Sequence, residues 1–312
     1  MLFLSEAQVR STANTDEVIR TIRDAFARDF HATLEMPVRT QLDLGESILL
    51  LMPCHDRKLQ AAAVKLVTVN PKTGVNATYE LLDPGTGKTL AVMEANYLTD
   101  LRTAATSAVA TDLLARPDAQ TLGVFGAGRQ AIAHLTVLPH VRRFTRFLVC
   151  GSSRSDLKTF CQKVRNEHAI EIEPVSAGTC ARESDVICTC TTSHEPLFDG
   201  RLLRPGTHLN LVGAFQSHTR EVDDETVKRA RVVVDTYEGA QAEAGDVLIP
   251  LRKGIIIRDH ILADLHELTS GKKHVRTSQD DITLFKSLGC ALEDLVTAML
   301  VYKAVSTGGK SA

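Results

Sequence analysis

The segment GAGRQA at residues 126–131 has the residue types and spacing of a dinucleotide-binding loop. It follows the apolar run TLGVF and opens a helix-like run, which is the context that a GxGxxA fingerprint requires. Gly126 would allow a tight turn, Gly128 would let the backbone approach a pyrophosphate, and Ala131 would let helix and strand pack closely. The helix N-terminus would offer its free N–H groups to the phosphates. An ordinary glycine-rich turn is the alternative, but the surrounding strand–helix repeats favour dinucleotide binding.

The carboxylate that selects NAD is missing from the end of the next apolar strand, where the chain reads VCGSSR. NAD-preferring sites place Asp or Glu there to bond the ribose hydroxyls, and such a carboxylate would repel a 2′-phosphate. Ser153 and Arg154 could bond that phosphate, although Ser153 could also merely cap the next helix and Arg154 could face solvent. Asp156 is a weaker candidate for the ribose. We therefore predict NADPH as cofactor, with NADH possible but less favoured.

Three cations stand in places where a small anionic substrate could be held. Lys65 lies in the apolar strand AAAVKLVTV, where a period of two residues places it on the same face as Ala63 and Val67. Arg39 follows the segment Met-Pro-Val at 36–38, and Arg102 opens a helix rich in small residues. A cation inside an apolar strand is costly unless it is paired or bound to a ligand. A snorkelling or salt-bridged side chain is the alternative for each of them.

The order of apolar runs predicts an α/β chain with two domains. The chain starts with a helical pattern in which Ser5 and Gln8 have the spacing of a capping box. Runs between Ile48 and Met93 then alternate like the strands of a mainly antiparallel sheet. Beyond Pro117 short apolar strands alternate with helical segments, which is typical of a doubly wound parallel sheet. The predicted strands there are TLGVFG, RFLVC, IEIEP, DVICTC, THLNLVG and RVVVD. A last helix follows that sheet, and we expect it to pack onto the first domain. The predicted domains are 1–116 with 290–312, an α+β domain made discontinuous in this way, and 117–289.

The composition is that of an ordinary globular protein and excludes several classes of function. The 312 residues carry 36 Lys and Arg against 38 Asp and Glu, so there is no basic excess for a nucleic acid. We find no apolar run near the roughly 18 residues that span a bilayer, and MLFLSEAQVR does not read as a signal peptide. Seven cysteines without CxxC pairs predict free thiols in a reducing cytoplasm, and no metal site.

The chain resembles the ornithine cyclodeaminase/mu-crystallin family over nearly its whole length. The resemblance implies a Rossmann domain at 117–289 that binds NAD(P). The remaining α+β domain would bind substrate and form a homodimer by joining its strands to those of a partner. The segments that carry the resemblance are PVRT (37–40), VKLVTVNP (64–71), LLDPGTG (81–87), LTDLRTAATSA (98–108), FGAGRQA (125–131), LNLVGA (209–214), EAGDVLIP (243–250) and FKSLGCALEDL (285–295).

The resemblance also assigns roles to individual residues. It implies that a substrate carboxylate is bound by Arg39, Lys65 and Arg102, and that Ser287 and Leu288 close over the substrate. Lys65 could act as a proton source, because burial lowers the pKa of a lysine. Cofactor contacts are implied for Asn76, Arg102, Thr103, Gly126, Gly128, Arg129, Gln130, Ser153, Arg154, Thr191 and Val212.

One departure from the family pattern decides among its reactions. Cyclodeaminases carry an Asp shortly after the VG dipeptide at 212–213, but here the first Asp in that segment is Asp223. Because cyclodeamination needs a base, its absence favours an NADPH-dependent ketimine reductase. Such an enzyme would reduce Δ1-pyrroline-2-carboxylate or Δ1-piperideine-2-carboxylate to L-proline or L-pipecolate. The alternatives are an ornithine cyclodeaminase, an alanine dehydrogenase-like enzyme, or an NADPH-dependent binding protein like mu-crystallin. His208 and His218 are further candidates for proton transfer.

Overall fold

A computed structural model describes residues 1–30 and 32–308 of the chain. Its contacts divide the chain into two compact units. Unit 1 comprises Met1–Thr103 and the chain from Gly289 on, and unit 2 comprises Ala104–Leu288. The first division therefore falls at residue 103, inside a helix, whereas the sequence placed it after residue 116.

Unit 1 is built on a sheet that is antiparallel except at one edge, where β1 runs parallel to β7. The strand order is β1-β7-β6-β5-β4-β2, with β3 also paired to β4. A capping box between Ser5 and Gln8 starts the first helix, and Asn14 caps the second. The elements are β1 Leu2–Leu4, α1 Glu6–Thr12, α2 Thr15–Ala27, β2 Leu34–Glu35, β3 Thr40–Asp43, β4 Ile48–Asp56, β5 Ala61–Asn70, β6 Gly74–Leu82, β7 Thr89–Glu94 and α3 Asn96–Leu114.

Unit 2 holds eight parallel strands in the order β10-β9-β8-β11-β12-β15-β13-β14 within its described residues. Chain order reverses beside β8, and such a switch point opens a crevice at the carboxyl ends of the strands. The elements are β8 Thr121–Phe125, α4 Arg129–Val137, β9 Arg146–Cys150, α5 Arg154–His168, β10 Glu173–Pro174, α6 Ala177–Glu183, β11 Val186–Thr189, β12 His208–Leu211, α7 Asp224–Arg229, β13 Arg231–Val234, α8 Tyr237–Glu243, α9 Gly245–Arg252, β14 Ile261–Asp264, α10 Leu265–Thr269 and β15 Thr283–Lys286.

The last helix, α11 at Ala291–Gly308, belongs to unit 1. Its buried residues Leu295, Ala298 and Val301 share one core with β4, β5, β6 and β7. This core lies on one face of the sheet and includes the side chains at alternate positions of each strand. Among the described residues no helix is long and apolar enough to cross a membrane.

The doubly wound parallel sheet and the mainly antiparallel first sheet were both predicted correctly. Two strands of unit 2 were not recognised in the sequence. β15 is central in its sheet but has only four residues and includes Lys286, a residue type that seldom occupies a central strand. β14 is an edge strand of four residues. The run IEIEP, predicted as a full strand, forms only the two-residue edge strand β10.

Candidate active site

Lys65 is held inside unit 1 by the alternation of β5. Its neighbours on the same face, Ala63 and Val67, are core residues, and Lys65 itself is only 1% exposed. Its Nζ donates to Oδ1 of Asp294 at 2.7 Å and lies at the same distance from the other carboxylate oxygen. The alternation of β5 places Lys65 in the core, and the ion pair with Asp294 compensates its buried charge.

Arg102 joins the same pair from α3. Its guanidinium donates to Oε2 of Glu293 at 2.7 Å, and its Nε lies 3.0 Å from Oδ1 of Asp294. Both carboxylates are completely buried. We call these four residues, Lys65, Arg102, Glu293 and Asp294, the Lys65 cluster. Two cations and two carboxylates balance one another, which offsets the cost of removing four charges from water.

The Lys65 cluster contains an amine that titrates near neutral pH. Burial lowers the pKa of Lys65 to about 8, and the neighbouring Arg102 charge acts in the same direction. Burial also acts to lower the pKa of Arg102, but Asp294 and Glu293 outweigh it and raise that pKa. Lys65 can therefore hold or release a proton, while Arg102 stays a cation.

Tyr79 adds a polar group to the face of the sheet that carries Lys65. The two residues are paired across β5 and β6, and Tyr79 is almost completely buried. Its hydroxyl finds no hydrogen-bond partner among the described residues. Burial raises the pKa of this hydroxyl, and the nearby Asp294 carboxylate adds to that effect. Tyr79 therefore stays protonated and can act only as a donor or neutral acceptor.

Arg39 lies in the loop between β2 and β3 and is half-buried. Three residues earlier in this loop, the sulfur of Met36 accepts a hydrogen bond of 3.2 Å from the backbone N–H of Leu292. The loop that carries Arg39 thus contacts the first turn of α11, beside Glu293.

Glu293 and Asp294 were not among the site residues predicted from the sequence. Both stand in CALEDLVTAML, where the rest of the helix start is apolar. An acidic pair in a helix that buries most of its surface signals a partner of opposite charge. The partners, Lys65 and Arg102, lie 229 and 191 residues away in the chain.

In unit 2 the carboxyl ends of β8, β9 and β11 surround a groove of about 640 Å³. Gly126 makes the turn above β8 with a φ of +111°, and a Cβ there would lie 2.5 Å from the Cys190 carbonyl oxygen. A side chain is therefore excluded at this position by both the backbone conformation and the space. The groove is lined by Phe125–Gly128, Cys150–Ser153, Asp156, Leu157, Cys190–Ser193 and Leu197.

The start of α4 fits the pyrophosphate of a dinucleotide. Gly128 is the N-cap of this helix and has no side chain that could cap its first turn. A Cβ at Gly128 would meet no atom within 4 Å, so the space before the helix is open. Arg129 is exposed and Gln130 half-buried at the first two helical positions. Backbone donors, a helix N-terminus and open space are the features that bind a dinucleotide phosphate.

The loop after β9 separates the two residues considered for a 2′-phosphate. Ser153 lines the groove and also caps α5, accepting from the Asp156 N–H at 3.3 Å. Asp156 lines the same groove. Arg154 is exposed and lines an adjacent cavity of about 860 Å³ together with Lys158 and Arg165. The groove wall therefore carries the carboxylate of Asp156, the weaker of the predicted candidates for the ribose. A group of cations lies beside the groove.

The ends of β11 and β12 are tied together by one buried carboxylate, Glu221. It accepts from the backbone N–H of Thr191 at 2.8 Å and from the Thr191 hydroxyl at 2.7 Å. It also accepts from the Gly213 N–H at 2.7 Å. Val212 is half-buried and donates its N–H to the Thr189 carbonyl at 3.1 Å. The predicted cofactor residues Thr191 and Val212 thus lie at adjacent strand ends of one sheet.

The remaining predicted residues are dispersed over several elements. Asn76 is exposed on the face of β6 opposite to Tyr79 and lines a cavity of about 350 Å³ with Thr78 and Glu94. Thr103 is buried in α3, where its hydroxyl donates to the Thr99 carbonyl at 2.7 Å.

Ser287 and Leu288 follow the end of β15. The Ser287 side chain is buried, and its hydroxyl has no partner among the described residues. The backbone N–H of Leu288 donates to Asp235 at 2.6 Å.

His208 is not placed for proton transfer. It begins β12, at the end of the strand opposite to the groove, and its ring bonds Thr283 at 2.9 Å and Asn210 at 3.3 Å. Burial lowers its pKa to about 3, so it is neutral and structural. His218 is exposed in the segment before α7.

A Rossmann-type sheet with this groove, together with a buried cation cluster, defines the class of protein as an NAD(P)-dependent oxidoreductase. The chain belongs to the ornithine cyclodeaminase/mu-crystallin family, whose model matches residues 1–309.

Curated relatives and a solved structure are similar over almost the whole chain. A Δ1-pyrroline-2-carboxylate reductase of Bacillus cereus is 34% identical, covering 99% of this chain and 98% of its own. The ketimine reductase mu-crystallin of Mus musculus is 35% identical, covering 98% of each chain. The Δ1-pyrroline-2-carboxylate reductase of Thermococcus litoralis, solved in complex with NADH and L-proline, is 37% identical. It superposes with a TM-score of 0.96 over 99% of this chain and 98% of its own.

Proposed function

We propose that this protein is an NADPH-dependent ketimine reductase. It would reduce Δ1-pyrroline-2-carboxylate or Δ1-piperideine-2-carboxylate at C2, giving L-proline or L-pipecolate. The observation that carries the proposal is the Lys65 cluster, in which two cations are buried and oriented before any substrate arrives. The reductases from B. cereus, T. litoralis and mouse support the same reaction class.

We assign the binding of the substrate carboxylate to Arg102, Lys65 and Arg39. Arg102 keeps its charge at all physiological pH values and presents a planar fork that suits a carboxylate. Lys65 and Arg39 supply two further positive charges in unit 1. Glu293 and Asp294 hold Arg102 and Lys65 in fixed orientations, so less side-chain entropy is lost when the substrate binds.

The carboxylates near the end of β12 argue against cyclodeamination. Glu221 accepts hydrogen bonds from several donors, and Asp223 caps α7 while accepting from Gly200 at 2.9 Å. Neither is available as a base for the amino group and leaving ammonia, which cyclodeamination requires. A reductase whose substrate enters as a protonated imine does not need that base.

The chemistry divides between the cofactor and the residues of the chain. When bound, a reduced nicotinamide would supply the hydride for the new C–H bond at C2, and the π electrons of the C=N bond would pass to nitrogen. The nitrogen proton either enters with the iminium or comes from Lys65, whose pKa of about 8 leaves it protonated at neutral pH. The balance is one imine, one NADPH and one proton to one cyclic amino acid and NADP⁺.

NADPH is favoured because the loop after β9 has no carboxylate at residues 150–153 and because Arg154, Lys158 and Arg165 lie beside the groove. Asp156 in the groove wall opposes this preference. The T. litoralis relative carries NADH, so use of both cofactors is consistent with the proposal.

A homodimer is proposed from the outer face of the unit 1 sheet. This face carries apolar side chains in register across the strands, such as Leu51 opposite Leu66, and Leu66 is 41% exposed. A second copy of the chain would bury these side chains.

We propose a cytoplasmic location because all seven cysteines are free thiols.

The direct test measures NADPH oxidation with each imine in wild type and in Arg39→Ala and Arg102→Ala. We expect turnover in the wild type and its loss in both variants. Folded variants are identified by a wild-type circular dichroism spectrum and a cooperative thermal transition. Unchanged turnover in folded Arg102→Ala would contradict the assignment of the carboxylate site.

A further inference from the structure

We infer that Glu221 is a positioning residue that fixes the dinucleotide-binding conformation of the two loops following β11 and β12. The inference rests on the proposed cofactor class and goes beyond it, because Glu221 is a buried residue that does not line the groove. It contacts instead the backbone of residues that follow the strand ends.

Glu221 accepts five hydrogen bonds, four from these loops and one from the last residue of β11. Its Oε1 accepts both the N–H and the hydroxyl of Thr191, at 2.8 and 2.7 Å. Its Oε2 accepts the Thr189 hydroxyl at 2.7 Å, the Gly213 N–H at 2.7 Å and the Ala214 N–H at 3.2 Å. All five partners are donors, so this position requires an acceptor on both oxygens, which a carboxylate supplies and an amide cannot.

The two loops and the Glu221 carboxylate are closely packed around Gly213. A Cβ on Gly213 would overlap the Thr191 carbonyl oxygen and lie 2.5 Å from Oε1 of Glu221. Thr191 in turn lines the groove, and its hydroxyl accepts the Ser193 N–H at 3.2 Å. A displacement of Glu221 would therefore move groove-lining residues directly.

A second buried pair holds Glu221 itself. Asp246 accepts the Glu221 N–H at 2.7 Å, and its other oxygen lies 3.0 Å from Nζ of Lys286. Lys286 also donates to the Ala214 carbonyl at 2.5 Å. Burial raises the pKa of Glu221, with the Asp246 charge adding to it, while the Lys286 charge and the hydrogen bonds to Glu221 oppose that rise. Burying two carboxylates against one cation is costly, and such a cost is typical of groups that hold a functional site.

The test is isothermal titration with NADPH, and with NADH in parallel, on wild type and Glu221→Gln. The glutamine keeps the shape but turns an NH₂ group toward backbone donors. We expect the Kd for the dinucleotide to rise at least tenfold. A Kd for Glu221→Gln within twofold of the wild-type value would overturn the inference.

Asp223→Ala is the matched control. Asp223 lies two residues further on, caps α7 and bonds Gly200, and neither Thr226 nor Gly200, its hydrogen-bond partners, is a donor to Glu221. We expect its Tm to fall while its Kd stays within twofold of wild type. A rise in Kd equal to that of Glu221→Gln would show a general loss of stability and overturn the inference.

Thr189→Val gives a milder variant in case Glu221→Gln does not fold. It removes one donor to Glu221 within a buried strand and nearly preserves volume. We expect a twofold to fivefold rise in Kd, and an unchanged Kd would contradict the inference by itself.

Wild type that binds neither dinucleotide overturns this inference and the proposed function together. Intact dinucleotide binding without ketimine turnover overturns the proposed function alone.

Discussion

The ammonium of Lys65 lies 2.7 Å from the carboxylate of Asp294, a residue 229 positions further along the chain, and both side chains are buried. Arg102 lies 3.0 Å from the same carboxylate. Asp294 therefore connects the two cations of unit 1 that we assign to substrate binding.

Removing the charge of Asp294 should impair both stability and catalysis. Asp294→Asn leaves Lys65 and Arg102 with Glu293 alone, and breaking a buried ion pair costs about 3–5 kcal/mol. We expect a lower Tm and a loss of kcat/KM with the imine of at least about a hundredfold, measured by NADPH absorbance. Glu238→Gln, an exposed acid in the first turn of α8, is the control and should change neither quantity. Wild-type kcat/KM in Asp294→Asn would contradict the role of the cluster.

The pH profile should report the ionisation of Lys65. Burial lowers its pKa to about 8, so Lys65 is protonated below that pH and neutral above it. Because the protonated form both holds the carboxylate and supplies a proton, kcat/KM should fall as pH rises through about 8. In Lys65→Arg the charge persists, so the part of the decline that comes from Lys65 should disappear. Titration of the imine substrate itself is common to both proteins and cancels in the comparison. Identical profiles would exclude Lys65 as the titrating group.

The choice between NADPH and NADH should respond oppositely to two charges near the groove. Asp156→Asn removes a negative charge from the groove wall and should lower the KM for NADPH severalfold. Arg154→Ala should raise the KM for NADPH about tenfold. Arg154→Ala should leave the KM for NADH within about twofold of the wild-type value, because NADH has no 2′-phosphate. An Arg154→Ala enzyme with unchanged KM for NADPH would remove Arg154 from the cofactor site.

The oligomeric state should depend on the outer face of the unit 1 sheet. Leu66→Glu places a charge among apolar side chains on that face and should convert a dimer to monomers, measured by light scattering after size exclusion. Ile257→Glu is the matched control, since Ile257 is 69% exposed in unit 2 and outside that sheet. A wild-type protein that is already monomeric would contradict the proposed dimer.

The local features of this molecule could be predicted from sequence, whereas the long-range ones could not. Period-two alternation correctly placed Lys65 on the core face of β5, and the capping box at Ser5 is present as predicted. Both depend on residues a few positions apart. The pairing of Lys65 with Asp294 and the five donors around Glu221 depend on contacts across the fold, and no spacing rule reports them. β15 was not recognised because a lysine is unusual in a central strand. Lys286 is tolerated there because it pairs with the buried Asp246, a contact across the fold that the local sequence does not show.

The most direct test of the central claim is a substrate panel in which NADPH oxidation and product formation are both measured. We expect Δ1-pyrroline-2-carboxylate, Δ1-piperideine-2-carboxylate or both to oxidise NADPH rapidly, with one L-proline or L-pipecolate formed per NADPH consumed. No turnover of either imine would contradict it. Turnover of pyruvate with ammonia faster than that of either imine would also contradict the proposed ketimine reductase. Release of ammonia from ornithine would contradict it as well.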